Sequence, residues 1–271
     1  MSASVRQAWT SPFRYLVVTG LLLFVGGIVV VFAAIAFRLD MDTIRRAIVG
    51  SASEETWFAI RLTAVCTTIT TAIAVAIAIP AGYALSRYKF PLHSVIDTII
   101  DLPIVLPPLV AGIALLVFFG STAGVWIEKN IMPFVYTQQG IILAQLVPAG
   151  SFAVRAIKAA FDSVHPRMEQ VARTLGCNER QAFIRVVLPQ ARNGLVAGAV
   201  MTWARAAGEF GPILMFCGAT RMKTETLPIA VFLNMSVGDV GMALSLTVIL
   251  VVLSAVALLV FKALGGRGYL W

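Results

Sequence analysis

The chain has 271 residues, of which 59% are hydrophobic and only 13% charged, and its mean hydropathy is +0.89. Those values exclude a soluble domain and describe a protein that crosses a bilayer several times. A net charge of +8 would suggest nucleic acid in a soluble protein; here it reads as the Lys and Arg excess of cytoplasmic loops, and no nucleic-acid partner is expected.

Residues 1–14 are polar and contain Arg6 and Arg14, and residues 15–37 are apolar without a charge. Ala34-Ile35-Ala36 resembles a signal-peptidase site, but the run is longer than a signal core, which favours a retained first span. Residues 38–56 mix Arg38, Asp40, Asp42, Arg45, Arg46, Glu54 and Glu55 and form an exposed loop with room for a short helix. A second span follows over about 57–85. Arg61 near its outer end can reach the headgroups, and Pro80-Ala81-Gly82 near its inner end permits a kink. Ser86 to His93, with Arg87 and Lys89, is a short basic loop.

The third span, about 95–119, holds Asp97, Asp101 and the run Leu102-Pro103-Ile104-Val105-Leu106-Pro107-Pro108. Prolines at membrane depth remove backbone donors, and broken backbone is tolerated there only where it packs in protein or lines a cavity. A kinked packing helix and a path lined by Pro103, Pro107 and Pro108 are both open readings. Residues 120–137 form a second outer loop, with Trp126 and Tyr136 as interfacial anchors. A fourth span, about 138–154, is short for a crossing and has room to continue as helix to Phe161. The fifth, about 191–217, carries Arg205 and Glu209 one helical turn apart. They form either a structural ion pair or a polar element of the path. Residues 228–235 are apolar enough to dip back into the bilayer, and residues 240–261 are the sixth span.

Between the fourth and fifth spans lies the most polar stretch, His165 to Pro189. Pro166 suits a first helical turn. Val171, Leu175, Phe183 and Val187 recur at helical spacing. Gly176 can take the positive φ that ends a helix, Asn178 is a good N-cap, and Pro189 is expected to close the second helix. The segment therefore reads as a helix–Gly–helix hairpin at a membrane surface, an ordinary amphipathic loop by periodicity alone. Placing both termini in the cytoplasm puts Arg6, Arg14, Arg87, Lys89, Arg155, Lys158, Arg167, Arg173, Arg180, Arg185, Arg192, Lys262 and Arg267 inside. Arg38, Arg45, Arg46, Lys129, Arg221 and Lys223 then lie outside, in accord with the positive-inside rule.

Several chemistries are missing. No Gly-rich loop ends in Lys-Ser or Lys-Thr, so ATP binding by this chain is not expected. There is no His-Glu-x-x-His or Gly-x-Ser-x-Gly. Cys66, Cys177 and Cys217 have no paired spacing, and His93 and His165 lack a ligand cluster, so no metal site is expected. Asp97 and Asp101 are poor candidates for catalysis at a span end.

Gln170-Val171-Ala172, Gly176 and Val186-Val187-Leu188-Pro189 resemble the cytoplasmic signature of ABC importer permeases: Glu-Ala-Ala, three residues, Gly, nine residues, Ile-x-Leu-Pro. Gln170 and Val171 depart from it, and Glu169 stands beside the missing acid. The run Gly208-Glu209-Phe210-Gly211 and the segment to Pro228, with Leu102 to Pro108, resemble the molybdate, tungstate and sulfate branch of type I importers. The resemblance implies an all-α integral membrane permease fold of about six spans. Its divisions are a cytoplasmic segment 1–14, one permease domain 15–263 with a coupling loop 162–190, and a cytoplasmic tail 264–271. It implies a bacterial or archaeal cell membrane and a non-catalytic subunit moving an oxyanion. The partners implied are a second permease subunit, membrane lipid, cytoplasmic ATPases that bind the ATP and Mg, and an external substrate-binding protein. It places Glu169, Gln170, Val171, Ala172, Arg173, Gly176, Arg180, Leu188 and Pro189 at the ATPase contact. Permeases for polyamines, sugars or other anions, and less readily a gradient-driven channel or secondary transporter, are the competing classes.

Overall fold

The computed structural model describes residues 12–38 and 40–264; most of the expected terminal segments 1–14 and 264–271, including Arg6 and Arg267, lies outside the described residues. The described residues are helical, with no strand among them. In chain order the helices are α1 (Pro12–Phe37), α2 (Met41–Ile48), α3 (Ser53–Arg87), α4 (His93–Val105), α5 (Pro108–Gly120), α6 (Thr122–Asn130) and α7 (Gln138–Asp162). They continue with α8 (Pro166–Thr174), α9 (Glu179–Ala182), a π-helical turn (Phe183–Val187), α10 (Leu188–Ala207), α11 (Gly211–Cys217), α12 (Leu227–Ser236) and α13 (Val240–Leu264).

Helices α1, α3, α7 and α13 are each long and apolar enough to cross a bilayer, and α4 with α5 make a fifth crossing if counted as one bent span. The twenty residues of α10 reach about 30 Å, the thickness of the hydrocarbon layer. The core is built on α3, α7 and α10. The buried face of α3 is made of small residues at helical spacing, among them Ala59, Thr63, Thr67, Thr70, Ala74, Ala78 and Gly82. Water gives no drive for helices to pair in lipid, so close backbone approach through small side chains replaces it. A Cβ on Gly82 would lie 2.9 Å from the Lys158 backbone nitrogen, and one on Gly194 would lie 2.6 Å from the Ala160 Cβ. Two of the threonine hydroxyls are satisfied within the helix: Thr63 donates to the Ala59 carbonyl at 2.7 Å and Thr71 to that of Thr67 at 2.8 Å.

A buried polar knot ties the three core helices. The Gln145 amide of α7 accepts from Thr70 at 2.9 Å and donates to Thr67 at 3.3 Å and to the Ala206 carbonyl at 3.1 Å. By contrast, none of the described side chains of α1 is buried, so that helix presents its apolar surface outward.

Two expectations need correction, for the fifth span and for Pro189. The fifth span, expected over 191–217, is not one helix: α10 ends at Ala207 and α11 starts at Gly211. Gly208 is the C-cap and Pro212 sits in the first turn of α11, so the chain stops one helix and starts another. The third span, expected over 95–119 with prolines that break regular helix, is broken as expected, into two helices bent by 111°. Leu106 is extended, as a residue before proline must be. Pro189 does not close a helix. It occupies the first turn of α10 and the chain stays helical from Glu179 to Ala207. The missing proline N–H and the ring's clash one turn back are absorbed by the π-helical turn, in which the Leu188 N–H bonds to the Phe183 carbonyl five residues earlier. The other expected elements hold. The fourth span runs as helix to Asp162, the first loop contains α2, and residues 227–236 form the short apolar α12.

Candidate functional site

The polar stretch after α7 folds as a rigid hairpin, and its local chemistry explains each bend. The His165 Nδ1 accepts the Arg167 N–H at 3.1 Å and caps α8, with Pro166 in the first turn. The far end of α8 is a Schellman closure: Gly176 takes φ +91°, its N–H bonds to the Arg173 carbonyl, and the Cys177 N–H reaches the Ala172 carbonyl, both at 3.1 Å. Asn178 then opens α9 with a reciprocal capping box: its side chain accepts the Gln181 N–H at 2.8 Å, and the Gln181 side chain accepts the Asn178 N–H at 3.0 Å.

The hairpin divides its side chains sharply. Glu169 and Ala172 are the buried residues of α8, and Ala182 and Val187 are buried in the second arm. Gln170, Arg173, Gly176, Arg180 and Pro189 are exposed, and Leu188 is half-buried. Met168, Val171 and Leu175 make an apolar row on the open face, with Leu175 80% exposed. Arg167 and Arg173 are exposed on the same helix and Arg180 on the second arm, so the hairpin surface is basic, unsuited to lipid tails and suited to a protein surface. Glu169, expected beside Gln170 at the open face, points the other way. Its carboxylate accepts the Tyr83 hydroxyl at 2.5 Å and lies 3.4 Å from the Arg87 Nε.

The inner end of α3 holds the hairpin at further points. Arg87 donates to the Phe161 and Val164 carbonyls at 3.0 and 2.7 Å, Ser86 donates to Asp162 at 2.6 Å, and Tyr88 donates to Glu179 at 2.6 Å. The Glu179 carboxylate that accepts its proton holds the Tyr88 hydroxyl above its usual range. Tyr83 also stacks edge-on against Phe161 and Phe183, at centroid distances of 5.5 and 4.6 Å.

Of the residues expected at a path or gate, Pro108 lies where the two broken spans meet. Pro107 caps α5 and Pro108 is its first residue, whereas Pro103 lies within α4. A Cβ on Gly211 would lie 2.8 Å from the Pro108 Cβ, and one on Gly112 would lie 2.9 Å from the Pro212 carbonyl. The half-helices α5 and α11 therefore pack backbone to backbone. Arg205 and Glu209 are ion-paired at the end of α10; the Glu209 side chain is 1% exposed and the Arg205 side chain 39%. Asp97 and Asp101 are both held by Arg155 of α7, which bonds the Asp97 carboxylate at 2.6 Å and its carbonyl at 2.7 Å. That arrangement makes them a helix tether and removes them as an acid–base pair.

At the opposite end of α3 lies a polar cavity of about 190 Å³ lined by Arg46, Glu55, Arg221, Glu225, Asn234 and Asp239. Burial pushes the Glu225 carboxyl above its usual range. No group of three or more His, Cys, Asp or Glu residues among the described residues could hold a metal ion.

Residues missed in the sequence are Tyr83, Arg87, Arg155 and Gln145. Each makes its contact with a residue more than fifty positions away, and no local signal reports such a pairing.

Comparison with known proteins agrees with this architecture. Over 201 residues the chain is 37% identical to a probable molybdenum ABC transporter permease protein of Haloferax volcanii, covering 74% of this chain and 72% of that one. It is 35% identical over 211 residues to a molybdate/tungstate transport system permease protein of Thermococcus kodakarensis, covering 77% and 78%. A membrane chain in the crystal structure of a bacterial ABC transporter involved in the import of alginate superposes with a TM-score of 0.73 over 98% of both chains, at 16% identity, and so shares the fold. Residues 74–267 match the family described as binding-protein-dependent transport system inner membrane component. The chain belongs to that family, the membrane permease subunits of ABC transporters.

Proposed function

We propose that this chain is the non-catalytic membrane subunit of an importer for a tetrahedral oxyanion (molybdate, tungstate or sulfate), driven by ATPase subunits that dock on the hairpin. The observation that carries the reading is the hairpin's open face: the exposed row Met168, Val171 and Leu175, on a helix stopped by Gly176 at φ +91°. ATP and Mg belong to the docked subunits. The contact is small, so its geometry matters more than its area. With both termini inside, the Arg-rich hairpin is cytoplasmic. The cavity near Glu225 and the helices α2 and α6 then face an external substrate-binding protein.

A second permease subunit completes the path. Helix α4 has no buried residue, and Leu109, Val110 and Ile113 of α5 are exposed beside the break, which supports a wall shared with a second copy or a close relative. The prolines 103, 107 and 108, with Arg205 and Glu209, border that wall. Closure of the ATPases draws the hairpins together and opens the path outward, and hydrolysis reverses it. The Arg205–Glu209 pair has no net charge to attract an anion, so selectivity rests with the external binding protein.

The test is co-purification with the ATPase subunits, followed by uptake of labelled molybdate, tungstate and sulfate into proteoliposomes holding the binding protein and ATP. ATP-dependent uptake of one of these anions is expected. Uptake of a polyamine or sugar instead overturns the substrate class, and uptake without any ATPase overturns the mechanism.

A further inference from the structure

We propose that the inner end of α3 is a second point at which hairpin movement passes into the membrane body, with Tyr83 and Arg87 as positioning residues that act through Glu169. The inference rests on the reading that the hairpin receives an ATPase. Its starting point is how little holds α8. Only Glu169 and Ala172 of that helix are buried, and an alanine methyl is too small to fix a helix's rotation. Glu169 therefore sets where α8 sits. Both of its oxygens face α3: one accepts the Tyr83 hydroxyl at 2.5 Å, and the other lies in ion-pair range, 3.4 Å from the Arg87 Nε, without a hydrogen bond to it.

Arg87 does more than neutralise the acid. Its Nη2 donates to the Phe161 and Val164 carbonyls at 3.0 and 2.7 Å, at the end of α7, where carbonyls lack helical partners and the helix dipole favours a cation. One guanidinium thus joins the C-terminus of α7 to the first turns of α8 and pins the turn at Ser163 to His165. A lysine has neither the planar fork nor the reach in two directions. The pair is desolvated, with side-chain exposures of 9% and 12%. A buried ion pair is a poor source of stability compared with apolar packing, and its attested use is to fix one register. The rings of Tyr83, Phe161 and Phe183 already supply the packing; the polar contacts supply direction.

The experiment uses the full complex of permease, ATPase and binding protein in proteoliposomes. Tyr83→Phe removes one hydroxyl and keeps the ring stack, and Glu169→Gln removes the charge. Solute moved per ATP hydrolysed is expected to fall roughly tenfold in each, the factor that one charge-assisted hydrogen bond is worth. The ATPase is expected to stay bound, and the double variant to be no worse than either single, because both changes cut one link. A wild-type ratio in Tyr83→Phe overturns the proposal. So does release of the ATPase by the single variants, which would mean the clasp only shapes the docking face. Multiplying losses in the double variant would also overturn it. If Glu169→Gln does not assemble, Tyr83→Phe alone decides. Failure of the unaltered chain to hold an ATPase refutes the docking reading instead.

Discussion

Replacing Gly176 isolates the hairpin from the rest of the chain. The residue is exposed, and a Cβ there would meet nothing within 4 Å, so alanine adds no clash, only the strain of an L residue at φ +91°. That strain is about 1–2 kcal/mol, and 1–2 kcal/mol is about a five- to thirtyfold change in the population of the native bend. Proline is incompatible on three counts. Its ring holds φ near −65°. It removes the N–H that bonds to the Arg173 carbonyl at 3.1 Å. It also disfavours the near-helical conformation of Leu175, at φ −84° and ψ 13°. The assay is solute moved per ATP hydrolysed by the reconstituted complex, with thermal unfolding in detergent as the control. The expected order is wild type, then Gly176→Ala partly uncoupled, then Gly176→Pro uncoupled, all with the same unfolding midpoint for the membrane body. Wild-type transport by Gly176→Pro would refute the reasoning, because no proline can keep that bend.

The core and the broken spans give further expectations. Gly82→Leu should destabilise the body by about 1–3 kcal/mol by forcing α3 away from α7, read as a lower unfolding midpoint. Gln145→Leu keeps the volume but cuts the knot to Thr67, Thr70 and the Ala206 carbonyl; a loss of about 1–2 kcal/mol is expected, with faster hydrogen exchange at the end of α10. Arg205→Met leaves the Glu209 carboxylate without its cation and should cost about 2–4 kcal/mol, below the value for a fully enclosed pair because Arg205 is 39% exposed. Adding Glu209→Gln should recover most of that loss. Arg155→Ala frees Asp97 and Asp101, and exchange should rise across residues 93–102 while α3 stays protected.

The hairpin was legible in the sequence because its determinants are local. Pro166, Gly176 and Asn178 each act on backbone groups within a few residues, and the structure uses all three as expected. The broken third span was legible for the same reason, since Pro103, Pro107 and Pro108 carry their own geometry. Pro189 misled because a proline ends a helix only if nothing upstream gives way, and here the π-helical turn gives way. The direction of Glu169 was hidden because it depends on Tyr83, 86 residues earlier. Periodicity grouped Val171 and Leu175 with Phe183 and Val187 as one apolar set, yet the first two are exposed and the last is buried. A repeat of apolar residues tells which face is greasy and not whether that face meets the protein's own interior or another molecule's.

The unbroken run from Glu179 through the π-helical turn to Ala207 has a further consequence for how this chain can change over time. A helix turns about 100° per residue, so one residue inserted or deleted anywhere along it would swing the docking tip to a new azimuth relative to the wall around Arg205. Length there is quantised: substitutions can be absorbed one at a time, but indels cannot. The stretch from Gly218 to Thr226, which joins two helices by turns, carries no such phase relation; what fixes it is side-chain burial, with Thr224, Glu225 and Thr226 almost fully enclosed.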